Sequence, residues 1–310
     1  MGRIMRTATP PDRNTRPPRF KLPAGACDTH LHVYGPFDRY PLSPDRHYDP
    51  APHCTLDDYL KVHRTLGLER AVIVTGSANG TNNQITLDTL ARMNGSFKAI
   101  ALLGADVSDA ELHRLKAGGF SGFRIKSSGR GYTLLKDTQR MVERTREFDW
   151  HVEFMVQSLQ EAIATTAFLS SLKVPYVFDH VAHAEPDQHK HGRKEFAELL
   201  AILKNEEHAW INLYSFYQLS KSGAPDYADM IDVVQEIVDA RSDRVVWGSN
   251  WPHAGISVPM PNDGDLLDFL LAVSPDERIR NSILADNPAK LYGWPTMETL
   301  NDAKCVVPTT

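Results

Sequence analysis

Apolar positions along this chain switch repeatedly between two spacings. Eight short runs rich in β-branched and aromatic residues read as strands: Ala26–Val33, Ala71–Thr75, Ala99–Gly104, Gly122–Lys126, His151–Val156, Tyr176–His180, Trp210–Ser215 and Val245–Asn250. Between them apolar residues recur three and four apart, as in Leu56–Leu66, Ile85–Met93, Ala110–Ala117, Met141–Phe148, Ser158–Leu172, Phe196–Asn205 and Met230–Ala240. Strands alternating with helices pair in parallel, and eight such units predict an α/β protein built as a closed (β/α)8 barrel. An open doubly wound sheet is the rival architecture, but no Gly-x-Gly-x-x-Gly follows the first strand. Leu266–Val273, Pro275–Ala285 and Asn287–Tyr292 read as closing helices. The barrel is expected over 24–295 as one domain, with a tail at 296–310.

Residues 1–23 break the pattern. They are rich in Pro and Arg and lack apolar periodicity, which predicts an irregular arm, draped on the surface or disordered; the four prolines before Lys21 spoil the amphipathic helix of a transit peptide. The 310 residues are 42% hydrophobic and 24% charged, as in a globular protein with a large core, and no apolar run approaches the roughly 20 residues of a membrane span. A net charge of −5 argues against nucleic acid, so an anionic ligand would need local cations. Cys27, Cys54 and Cys305 form an odd set without CxxC spacing, which fits a reduced cytoplasmic protein. The oligomeric state is left open.

Candidate chemistry gathers at predicted strand ends. His30 and His32 share a face of the first strand, and His180 closes the sixth. At the C-terminal rim of a barrel these three would meet in the mouth. Asp179 is expected on the opposite face, anchoring the wall. Arg124 and Lys126 alternate together on the fourth strand and need an anion, either a structural carboxylate or, preferentially, a substrate carboxylate gripped by the Arg fork. Ser77 and Asn79 lie in a small polar loop that could orient hydroxyls or simply turn the chain into a helix capped at Asn82. Tyr48, Tyr214 and Tyr217 are candidates for the mouth's lining, or for packing. His253 is a candidate substrate contact or proton handler, and His183 the member of a polar loop with His189 and His191 that comes nearest the mouth. Asn250, at the tip of the eighth run, can donate and accept hydrogen bonds but cannot take a proton near neutral pH.

The segments Cys27-Asp28-Thr29-His30-Leu31-His32, Asp179-His180 and Trp247-Gly248-Ser249-Asn250-Trp251-Pro252-His253, in this order, resemble the amidohydrolase superfamily, in particular its 2-pyrone-4,6-dicarboxylate lactonase branch. The resemblance spans about residues 24 to 293. It implies a barrel acting on a small anionic lactone, with His30, His32 and His180 around the carbonyl, Arg124 on a carboxylate, and Asn250 where the family carries its water-activating aspartate. The branch resembles metal-free enzymes, and Met155 and Gln157 stand where a fifth-strand histidine ligand would be, so no metal or cofactor is expected, although three imidazoles could hold zinc and Lys126 could be a bridging lysine. The amide favours ring migration over hydrolysis. Losing a general base forfeits about 10²–10⁴ in rate, whereas attack by the substrate's own hydroxyl carries an effective molarity of about 10⁵–10⁸ M. The expected activity is therefore that of a D-galactarolactone isomerase, converting the 1,5-lactone to the 1,4-lactone, with a lactone hydrolase as the alternative.

Overall fold

The computed structural model describes residues 6–52, 54–129, 132–191 and 193–295; the side chain of His189 and the tail with Cys305 lie outside the described residues. Eight parallel strands follow one another in sequence order: β1 Cys27–Leu31, β2 Arg70–Val74, β3 Phe97–Leu102, β4 Phe120–Lys126, β5 His151–Phe154, β6 Tyr176–Phe178, β7 Ala209–Asn212 and β8 Val245–Val246. A further two-residue strand, Thr133–Leu134, pairs with the end of β4. The sheet returns on itself: Thr29 N donates to Trp247 O at 3.0 Å, Asn250 N to His30 O at 2.8 Å and His32 N to Trp251 O at 2.8 Å. Gly248 permits that closure, because a Cβ there would lie 2.8 Å from His30 N and 2.7 Å from its Cβ.

Helices cover the outside, and their ends carry local signals. Leu56–Leu66 starts at a Thr55/Asp58 capping box and stops at Gly67 with φ 77°, a conformation glycine adopts without steric penalty. Ser108 and Ser158 cap Asp109–Ala117 and Leu159–Ser171 through their hydroxyls. Inside the barrel, Val72, Ile100, Val177, Trp210 and Val246 pack on Leu291, Tyr292 and Trp294, which plug the end opposite the mouth. Residues 6–23 lie along the barrel: Arg19 pairs with Asp268 at 2.9 Å, and Arg16 N donates to Asn262 Oδ1 at 3.0 Å. The polar stretch after β6, expected as a loop, contains a helix at Pro186–His191. The helix after the small polar loop begins at Gln84, one residue later than a cap at Asn82 would give, with Asn82 Oδ1 accepting from Gln84 N. No helix among the described residues is long and apolar enough to cross a membrane.

Candidate active site

The site begins with an irregularity in β1. Between Asp28 and Leu31 this strand has one more residue than β2 opposite it, so strict alternation fails there. Asp28 turns away from the histidines and is fully engaged: it accepts from Ser249 N (2.9 Å), Ser249 Oγ (2.6 Å), the Tyr59 hydroxyl (2.9 Å) and His30 N (3.1 Å). These bonds pin the loop after β8 to β1. His30 is then left inside, fully buried, stacked on Tyr214 with ring centres 3.8 Å apart and edge-on to His32 at 5.0 Å. His180 meets the same Tyr214 ring at 4.7 Å. The structure thus brings His30 and His180 together on Tyr214, with His32 joined to them through His30.

His180 arrives there by an unusual backbone. His180, Val181, Ala182 and His183 have φ of 53°, 54°, 53° and 52°, a left-handed turn made without glycine. Such residues cost about 1–2 kcal/mol each. The turn sets the His180 and His183 rings 5.5 Å apart, beside a cavity of about 170 Å³ lined also by Met155, Gln157 and Ser215.

Two carboxylates form the floor. Asp179, expected on the outer wall, points inward instead; Arg124 Nε reaches its Oδ2 at 2.8 Å and Nη2 at 2.7 Å. Asp179 keeps the alternation of β6, in which Val177 also faces inward, and it is His180 that the left-handed turn brings into the site out of that alternation. Arg124 Nη2 also donates to the Tyr214 hydroxyl at 2.6 Å. The structural carboxylate is therefore the anion this guanidinium meets. Glu153, which the sequence reading passed over, lies between: its Oε1 accepts from Tyr292 at 3.2 Å and its Oε2 is 3.9 Å from His30 Nδ1. Burial pushes both carboxyls up to about 7, against the pull of Arg124.

Burial, and then the Arg124 charge, lower the pKa of His30 and His180, which favours neutral rings. His32 is held down to about 4, mainly by burial. Its Nδ1 lies 2.8 Å from Val74 O; a carbonyl only accepts, so Nδ1 carries the proton and Nε2 keeps its lone pair.

The expectation that no metal is held is corrected by this floor. His30, Glu153 and Asp179 each place a donor atom within 4.8 Å of the others. His30 Nδ1 and Nε2, Glu153 Oε2 and Asp179 Oδ1 are all buried without a hydrogen-bond partner. One imidazole and two carboxylates suit a divalent cation. Met155 and Gln157 suggested a fifth strand without a ligand, whereas the inward donor is Glu153, two residues earlier. Lys126 points elsewhere, its ammonium 4.6 Å from the centre of the Tyr132 ring.

The remaining candidates divide. Tyr48 bridges Tyr34 (2.8 Å) and Ser77 (3.2 Å) through hydroxyls, while Asn79 is buried with Oδ1 unpartnered. His253, 1% exposed, has both ring nitrogens engaged, Nδ1 with the Tyr217 hydroxyl at 2.8 Å and Nε2 with Asp263 at 3.0 Å, so it offers a substrate no free nitrogen. Asn250 Nδ2 donates to the same Tyr217 oxygen at 3.0 Å.

The model of one family, described as Amidohydrolase, matches residues 27–294. The chain belongs to the amidohydrolase family. A 4-sulfomuconolactone hydrolase of Hydrogenophaga intermedia is 36% identical to this amidohydrolase, over 91% of this chain and 93% of its own. A 2-pyrone-4,6-dicarboxylate hydrolase of Comamonas testosteroni is 31% identical over 91% and 94%. An apo crystal structure from Agrobacterium tumefaciens superposes with a TM-score of 0.78 at 28% identity, covering 90% of this chain and 100% of that one. The expectation of a galactarolactone isomerase is corrected here: the D-galactarolactone isomerase of Agrobacterium fabrum is 29% identical, below these hydrolases. The inference from Asn250 took the amide alone to rule out activation of water, whereas His32 Nε2 also keeps a lone pair.

Proposed function

We propose that this amidohydrolase hydrolyses a small anionic lactone of the muconolactone or pyrone-dicarboxylate kind, in the reducing cytoplasm that its free, buried Cys27 and Cys54 suit. The observation that carries the reading is the His32 ring, fixed by Val74 O with Nε2 unprotonated. It supplies the base that Asn250 cannot. Water attacks the lactone carbonyl carbon and gives a proton to His32 Nε2. The ring C–O bond then breaks, the departing oxygen recovers a proton from the same nitrogen, and a hydroxy acid is left that ionises to its carboxylate.

The other residues bind and orient. Lys126, half-buried at the end of β4, attracts the substrate anion, and Arg124, held by Asp179 and Tyr214, adds positive potential from below. Ser77, Tyr48 and Asn79 offer polar atoms at the rim, His183 lines the side of the mouth, and His180 and His30 face the carbonyl. A divalent ion held by His30, Glu153 and Asp179 would polarise that carbonyl as a Lewis acid.

The test is incubation with 4-sulfomuconolactone and with 2-pyrone-4,6-dicarboxylate in oxygen-18 water. One labelled oxygen in the new carboxylate of either product supports hydrolysis; an unlabelled ring isomer overturns it. His32→Asn, whose amide can still donate to Val74 O, is expected to lower kcat by about 10²–10⁴ with little change in KM.

A further inference from the structure

A chain of buried hydrogen bonds runs away from the histidine cluster and has no part in the chemistry above. Asp263, 1% exposed, is the first residue of the helix Asp263–Val273, and its Oδ1 lies 3.0 Å from His253 Nε2. His253 Nδ1 lies 2.8 Å from the Tyr217 hydroxyl, and Tyr217 is 3.0 Å from Asn250 Nδ2. Tyr217 comes from the short helix Phe216–Leu219 after β7, so three separate parts of the chain meet in this line.

The direction of every bond follows from its far end. A carboxylate only accepts, so His253 donates from Nε2, and in the neutral ring Nδ1 is then left as an acceptor. The Tyr217 hydrogen then points at Nδ1, and the Tyr217 oxygen faces Asn250 with lone pairs. Only the NH2 side of the amide can meet it.

We propose that Asp263, His253 and Tyr217 are positioning residues that lock the Asn250 amide with Nδ2 committed to Tyr217, leaving Oδ1 as the acceptor that aligns the attacking water. The alignment of water rests on the hydrolytic reading; the locked orientation does not. The amide thus acts by direction rather than by basicity, complementing His32, which takes the proton.

Two measurements on the full-length protein test this. Nitrogen-15 histidine spectra of the wild type are expected to show His253 as the Nε2–H tautomer, and Asp263→Asn, which can donate to Nε2, to shift it toward Nδ1–H. Tyr217→Phe, which keeps the ring, should lower kcat about tenfold, and Asp263→Asn about 10–100-fold, each with KM changed less than about threefold. Because both act through one line, the double variant should lose no more than the worse single one. Multiplying losses, or an Nδ1–H tautomer in the wild type, would overturn the relay. Should Asp263→Asn fail to fold, Tyr217→Phe alone decides: unchanged kcat overturns the proposal. If neither lactone is turned over while the tautomer is Nε2–H and moves as stated, the relay stands and the hydrolase reading falls.

Discussion

Asn250 donates through Nδ2 to the Tyr217 hydroxyl, 3.0 Å away, and that hydroxyl is already turned toward His253 Nδ1. An aspartate at 250 would bring acceptor against acceptor in a site where residue 250 is only 8% exposed. Leaving such a buried group unmatched costs about 1–3 kcal/mol. Asn250→Asp is therefore expected to lower unfolding free energy by about that amount at pH 7, with the deficit shrinking as acid protonates the new carboxyl. Urea unfolding at pH 7 and in mild acid measures it, and equal stability of variant and wild type at pH 7 would show the pairing to be inconsequential.

The left-handed turn His180–His183 carries a stability prediction of opposite sign. Ala182 holds φ 53° and ψ 23°. Glycine tolerates that region, but its looser unfolded chain offsets part of the relief. Ala182→Gly should raise unfolding free energy by about 0.5–1 kcal/mol while lowering kcat, because the rings of His180 and His183 lose a rigid mount. Thermal unfolding and steady-state kinetics on the same preparation check both halves. A variant less stable than wild type would mean the turn is not strained.

These features mark where sequence patterns stop. All eight strands and their order follow from the two apolar spacings, because a strand buried on both faces must be apolar and a covering helix must be amphipathic. His30 and His32 were legible as the same-parity polar pair near the end of the first run, and His180 as the last residue of the sixth. Asp179 was not placed correctly, because His180 was taken to face inward by strand alternation, whereas Asp179 shares parity with the inward Val177 and a left-handed turn brings His180 in. Glu153 shares parity with His151 inside a run that otherwise looks like wall, and only the tertiary structure shows that its neighbours are His30 and Asp179. The partnership of His253 with Asp263 joins a loop to the next helix, and nothing in local spacing signals it.

The buried floor predicts metal uptake. With His30 Nδ1, Glu153 Oε2 and Asp179 Oδ1 unpartnered and close, the wild type is expected to bind one divalent ion per chain. Glu153→Gln keeps the shape and removes an anionic donor, which should weaken zinc binding by at least about tenfold. Competition titration against a chromophoric chelator, with metal content by mass spectrometry, measures this. Equal affinity of the two proteins would place any bound ion elsewhere.

Acid should act on this fold through His63 as well as through the site. His63 lies on the helix Leu56–Leu66, its ring 5.7 Å from that of Tyr59 and 5.3 Å from that of Phe97, with Nε2 buried and unpartnered. Burial is the main reason its pKa falls from 6.5 to about 4. The sign follows from proton uptake. Below pH 6.5 the unfolded chain gains a proton that the folded ring refuses, so the contribution is intact above that pH and is lost as pH falls toward 4, amounting to about 3 kcal/mol over the window. His63→Leu removes the titrating group without opening the core. Urea unfolding of wild type and variant at pH 7, 5.5 and 4.5 should show the variant gaining relative stability step by step. Because every other titrating group is common to both proteins, their difference isolates this ring, and curves that stay parallel across the three pH values would rule it out as an acid-sensitive element of the barrel wall.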